Sequence, residues 1–233
     1  MNHSSFGFLS AGKLKLLACI FMTIDHIGFY FFPGKLFLRA IGRLAFPIFA
    51  FFIAEGCRFT RNKLRYFLQV FSVGLVCALT YYYYTGAFEG NILITFSCSI
   101  LLIYLLQGCR GQHRIPAFAA FTGLLLCLFF ANQRMYFDYG FTGMLVPLCV
   151  AMTELFPRPQ LRHRLLALGA GLCFVALDTP GWPVQWVSLL ALPLLALYSG
   201  RPGSRKWKYG FYLFYPAHLL ALEGIALYLA QTG

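Results

Sequence analysis

Among the ionisable side chains in or at the edge of the long apolar runs of this chain are Asp25, His26, Arg43, Glu55, His218 and Glu223. An ionised group among lipid tails costs at least a few kcal/mol, so such residues face a cavity or one another, and each is a candidate for chemistry. His26 is a titratable base beside a carboxylate, suited to taking a proton from an attacking amine or hydroxyl. Lys15 precedes it by eleven residues, about three helical turns, so the two share one helix face about 16 Å apart. A ligand lying along that face reaches both. Asp25 points about 100° away from His26, which makes it a poor orienting partner for that imidazole and leaves it for Arg43.

Depth supports the pairing. Counted by helical rise, His26 lies about 18 Å from the inner face, Arg43 about 20 Å and His218 about 14 Å, all within one slab of a core about 30 Å thick. In Gly42-Arg43-Leu44-Ala45-Phe46-Pro47, Pro47 has no N–H for the carbonyl of Arg43, which predicts a kink and a free acceptor at this level. Tyr215-Pro216-Ala217-His218 repeats the pattern. Structural roles compete with the chemical ones: Asp25 with Arg43 as an ion pair, His218 as a satisfied core histidine, Glu55 paired with Arg58 three residues on. Glu223 near an outer end falls with them, and capping accounts for Asn91, Asp138 and Asp178 at segment ends.

The elements that must hold these residues are membrane helices. Of 233 residues, 60% are hydrophobic and 11% charged, against about 25% charged in an ordinary soluble domain. The apolar residues are spread along the whole chain, which excludes a soluble catalytic domain on a single anchor. Nine apolar runs are long enough to be read as spans: 14–32, 36–54, 64–84, 92–106, 115–131, 139–156, 165–178, 183–199 and 209–229. The seventh is the weakest, since 14 residues also suit a buried or re-entrant segment. The first is too long for a signal-peptide core and carries Asp25 and His26, so no cleavable leader is expected. The predicted fold is an all-α polytopic bundle forming a single domain over 1–233.

Positive charge orients it. With the N-terminus inside, the inner side holds Lys13, Lys15, Arg58, Arg61, Lys63, Arg65, Arg110, Arg114, Arg158, Arg162, Arg164, Arg201, Arg205, Lys206 and Lys208. The outer side holds Lys35, Arg39 and Arg134, and Arg43 lies within a span; the C-terminus is then outside. This alternation explains the formal charge of +12 better than nucleic-acid binding, which needs a clustered basic face. The eight cysteines lie in or beside apolar runs without a Cys-x-x-Cys pair and read as small buried hydrophobes, so neither a metal site nor a disulfide framework is expected.

At these residues the chain resembles the TraX family of conjugal-transfer membrane proteins. The matching stretches are Leu14-Lys15-Leu16 through Met22-Thr23-Ile24-Asp25-His26-Ile27-Gly28, then Gly42 to Phe51 and Glu55-Gly56, then Thr60-Arg61-Asn62. Asn91-Ile92-Leu93, Asp138-Tyr139-Gly140 and Tyr215-Pro216-Ala217-His218-Leu219 extend it over essentially the whole chain. The family's named member N-acetylates pilin, and the family is similar to a wider group of transmembrane acyltransferases, including sugar O-acetyltransferases and the lysosomal heparan N-acetyltransferase. That group often carries a basic residue, ten intervening residues and a histidine, as Lys15 and His26 do. The resemblance implies a bacterial inner-membrane enzyme that moves an acetyl or other acyl group from cytosolic acetyl-CoA to an amine or hydroxyl at or across the membrane. It makes His26 the base and leaves the acceptor open: a pilin-like N-terminus, a glycan or a small molecule.

Such chemistry needs a base, donors for a developing oxyanion and exclusion of water. His26 supplies the first; Arg43 or His218 is expected to supply the second. The basic inner loops, with Arg58, Arg61, Lys63 and Arg65 and with Lys206 and Lys208, suit the phosphates of coenzyme A, although the positive-inside rule alone also places them there. An acyl-histidine intermediate stays open beside direct transfer. A transporter or channel using Asp25, His26, Arg43 and His218 as a proton or anion relay is the alternative, although no inverted repeat is evident. A structural assembly component leaves the cluster unexplained.

Overall fold

The computed structural model describes residues 7–111, 114–203 and 207–232. It is all-α apart from one minimal sheet. Its helices are α1 (Ala11–Phe31), α2 (Leu36–Gly42), α3 (Ala45–Phe59), α4 (Lys63–Thr85), α5 (Ile92–Gly108), α6 (Arg114–Asn132), α7 (Gly140–Met152), α8 (Leu161–Asp178), α9 (Ala191–Ala196) and α10 (Trp207–Thr232). Two 3-10 helices, Thr153–Leu155 and Pro183–Leu190, extend α7 and precede α9. Each of the nine expected apolar runs thus meets a helical stretch. Among the described residues, four are long and apolar enough to cross a membrane: α1, the α2–α3 pair, α4 and α6.

The ends follow local chemistry. Ser10 caps α1 by accepting from the Lys13 N–H, and Asn62 caps α4 by accepting from the Arg65 N–H at 2.9 Å. Gly86 ends α4 at φ +71°, a left-handed turn that suits glycine. Asn91 caps α5 through the Leu93 and Ile94 N–H groups and donates through Nδ2 to the Gly74 carbonyl of α4 at 2.8 Å.

The expected single helix over 36–54 is broken. α2 stops at Gly42, Arg43 and Leu44 form a turn, and α3 starts at Ala45. Pro47 therefore sits in the first turn of α3, where a missing N–H costs nothing, and the interruption falls before it rather than as a kink around it. The expected helix over 183–199 likewise opens as eight residues of 3-10 helix behind Pro183.

The chain divides into two compact units, residues 1–49 with 179–233 and residues 50–178, the division falling within α3. In the first, α1 packs on α2 and α10, and α2 on the 3-10 helix Pro183–Leu190. Leu9 bridges Tyr198 in parallel, and the Ala11 N–H donates to the Arg201 carbonyl. In the second unit α5 is central: it packs on α4, α6 and α7, and α7 packs on α8. α5 is apolar on all sides, as a helix enclosed by others should be. A parallel pairing of Glu89 with Tyr136 and Gly90 with Phe137 ties the loop before α5 to the loop before α7.

Candidate active site

Asp25 lies in α1, on the side turned to α2. Its carboxylate accepts from Arg39 Nη1 at 2.8 Å and from Arg43 Nη2 at 3.1 Å, with the three side chains 12–20% exposed. Arg39 also donates to the Asp25 carbonyl at 3.2 Å. One carboxylate against two guanidiniums leaves net positive charge here, and the hydrogen bonds orient both arginines. Gly42 makes this approach feasible, because a Cβ on it would stand 2.2 Å from Asp25 Oδ1. The expected Asp25–Arg43 pair is thus present. Arg39, assigned from sequence to the outer side, is the closer partner, since α2 brings its first turns alongside α1.

His26, the next residue, turns elsewhere. Its Nδ1 lies 2.8 Å from the Met22 carbonyl, one helical turn back, and 3.3 Å from Nε2 of His218 on α10. His218 Nδ1 in turn lies 2.8 Å from the Phe214 carbonyl. A carbonyl only accepts, so each Nδ1 carries its proton and donates. Nε2 of His218 is then the lone pair facing the His26 Nδ1–H, and Nε2 of His26 is the free lone pair of the couple. The rings sit 5.0 Å apart at 65°, Phe214 stacks on His218 at 4.7 Å, and His218 is buried while His26 is half-buried. The arrangement presents one basic nitrogen, with a second imidazole behind it able to hold the charge that protonation would create. It also leaves His218 no N–H for an oxyanion, contrary to the role considered from sequence.

The other sequence-derived residues are dispersed. Lys15 is half-buried on α1, eleven residues before His26. Arg61 and Arg65 are exposed, and Lys63 sets its ammonium 5.1 Å from the Tyr104 ring. Arg58 is engaged by Glu55 at 3.7 Å and Glu154 at 3.8 Å, which opposes its expected use on phosphates. Lys206 lies outside the described residues, and for Lys208 only the backbone, in the first turn of α10, is described. Glu55 takes its main bond from Arg164 Nη1 of α8, at 2.7 Å with both side chains buried. Arg110 reaches the Glu154 carbonyl from the end of α5.

Sequence reasoning missed Arg39, Arg164, Gln185 and Ser188. The arginines were counted with the loops, although Arg164 sits in the first turn of α8, where phase turns it inward. Gln185 and Ser188 are uncharged and passed a search for ionisable groups, yet they are 3% and 0% exposed.

The TraX protein family is matched over residues 10–226. The chain is 27% identical to a probable fimbrial assembly protein FimC (serogroup H1) of Dichelobacter nodosus, over 94% of this chain and 97% of that protein. It is 26% identical to protein TraX of Escherichia coli, over 92% of this chain and 86% of that protein. A shorter stretch of 39 residues is 59% identical to protein RP591 of Rickettsia prowazekii. No solved structure matches. The family match runs from the start of α1 across the α2–α3 break to most of α10, and the chain belongs to the TraX family.

Proposed function

We propose that this protein is a membrane-embedded acyltransferase that moves an acetyl or other acyl group from acyl-CoA on the cytoplasmic side to an amine or hydroxyl acceptor. The observation that carries the reading is the His26–His218 couple, with Nε2 of His26 left as a free base. Nε2 takes the proton of the acceptor as its nitrogen or oxygen attacks the thioester carbonyl. The new bond to the acyl carbon forms, the carbon–sulfur bond breaks, and the proton held by His26 passes to the leaving thiolate. The imidazolium formed meanwhile donates more strongly from Nδ1 to His218 Nε2, the role a carboxylate plays behind the histidine of a catalytic triad. His218 is therefore a positioning residue.

Arg39 and Arg43 supply the positive field for a developing oxyanion, with Asp25 holding both in place. Lys15 and the basic inner segments, among them Arg61, Lys63, Arg65, Lys206 and Lys208, are assigned to the phosphates of the coenzyme. The placement is a bacterial inner membrane with nine crossings and the N-terminus inside. The names of the relatives, TraX and fimbrial assembly protein, favour an acceptor associated with surface appendages.

Purified protein at 100 times the dissociation constant of acetyl-CoA should gain about 2.7 kcal/mol against thermal unfolding. His26→Ala should keep that protection while losing roughly 100-fold or more of acetyl transfer to membrane fractions, the usual contribution of a general base. Wild type without protection or transfer refutes the reading. A relay for protons or anions is favoured instead if reconstituted vesicles show His26-dependent flux without acetyl-CoA.

A further inference from the structure

The 3-10 helix Pro183–Leu190 carries two polar side chains that the proposed chemistry does not use. Gln185 and Ser188 are 3% and 0% exposed, and neither Gln185 Nε2 nor Ser188 Oγ has a hydrogen-bond partner among the described residues. A 3-10 helix has three residues per turn, so the two are eclipsed on one face, about 6 Å apart along the axis. That buried face continues as Ala191 and Leu195 of α9. The tertiary partner of this segment in its unit is α2, which holds Arg39 and Arg43.

Two features make the pair unusual. A buried polar atom without a partner loses its water bonds and gains nothing, and in a membrane protein an apolar side chain fits such a place at no cost. A 3-10 run of eight residues is also uncommon, because its hydrogen bonds are poorer than those of an α-helix, and such a run marks a functional hinge or a sequence under strain. Continued as an α-helix, the segment would turn residues 185 and 188 about 60° apart. The 3-10 geometry is what aligns them.

We propose that Gln185 and Ser188 form a recognition site for a neutral hydrogen-bonding group of the acyl acceptor, a carboxamide or a hydroxyl, beside the helix that holds the arginines. The inference rests on the acyltransferase reading and extends it to acceptor selection. Gln185 donates to an oxygen of the ligand, and Ser188 both donates and accepts; neither offers charge, so the selected group is uncharged. Hydrogen bonds of this kind reject ligands lacking the matching group far better than apolar contacts do.

The test compares wild type, Gln185→Met, Ser188→Ala and the double variant in membranes supplied with radiolabelled acetyl-CoA, alongside thermal unfolding of each purified protein. Because unpartnered polar groups are being replaced by apolar ones, unfolding temperature should stay level or rise, and acetyl-CoA protection should match wild type. Label transfer should fall about threefold to tenfold for each single variant and further for the double. Label that runs with protein on a denaturing gel marks a carboxamide-bearing acceptor, and label extracted with glycan or lipid marks a hydroxyl-bearing one. A drop in unfolding temperature overturns the proposal, because the pair is then part of the packed structure. Undiminished transfer by variants of a protein that acetyl-CoA protects overturns this inference alone; no protection and no transfer in wild type overturns the acyltransferase reading with it.

Discussion

Two guanidiniums on one carboxylate make Asp25 the residue on which the positive side of the site depends. Asp25→Asn removes the carboxylate that Arg39 and Arg43 share and should cost about 3–5 kcal/mol, read as a lowered urea or thermal midpoint in detergent. Arg39→Met should cost more than Arg43→Met, because Arg39 makes the shorter bond and also holds the Asp25 carbonyl. In the proposed mechanism His218 acts through His26, so the side chain that replaces it should matter by what it can accept. His218→Gln retains an oxygen able to accept from His26 Nδ1–H and should keep appreciably more transfer than His218→Phe, while both variants bind acetyl-CoA as wild type does. Equal loss in the two would show that His218 only fills space. Part of this was legible in the residues: the depths of Asp25 and Arg43 predicted their pairing, and a 100° step between neighbours separated Asp25 from His26. The facing of the two imidazoles was not, because helical phase gives directions on one helix and not the azimuth of α10 against α1. Gln185 and Ser188 carry no charge and no periodic signal, so only their burial reveals them.

At the level of elements, the break between α2 and α3 presents Gly42 and Arg43 together to α1. Gly42→Ala puts a methyl group into the Asp25 carboxylate. The helices must part to admit it, and overpacking of this kind costs about 1–3 kcal/mol. Its coupling to Asp25→Asn in a double-mutant cycle should be strong, since both act on one contact. The bridge between Glu55 of α3 and Arg164 of α8 follows the same physics: Glu55→Gln and Arg164→Met should each destabilise by about 3 kcal/mol, whereas the pair changed together should cost much less, because no lone buried charge remains. Additive losses would deny the pairing. The helix start at Asn91 was readable from capping chemistry. The stop after Gly42 was not, because Pro47 draws attention to its own position while tolerating the first turn of α3. The 3-10 character of 183–190 was equally hidden, since two polar positions three residues apart also fit one side of an α-helix.

For the molecule as a whole, the parity of the crossings fixes the side on which the C-terminus lies. α1, α4 and α6 hold 19–23 residues each and the α2–α3 pair 24, so these reach across a core of about 30 Å. α5, α7 with its 3-10 turn, α8 and the Pro183–Ala196 stretch hold 14 to 18 residues each, giving about 25 Å at the rises of the two helix types. α5 packs on α4, α6 and α7, and modest bilayer thinning accommodates a deficit of this size. If every stretch crosses, the segment around Gly111 lies inside with the N-terminus and the C-terminus lies outside. Alkaline phosphatase fused after Gly233 should then be active, and green fluorescent protein fused after Gly111 should fluoresce. The decisive stretch is Pro183–Ala196: were it to re-enter rather than cross, everything after it would change sides, and a fluorescent fusion after Gly233 would report eight crossings. Arg201, Arg205, Lys206 and Lys208 argue against that outcome, because re-entry would carry this cluster to the outer surface, against the positive-inside bias that the rest of the chain follows.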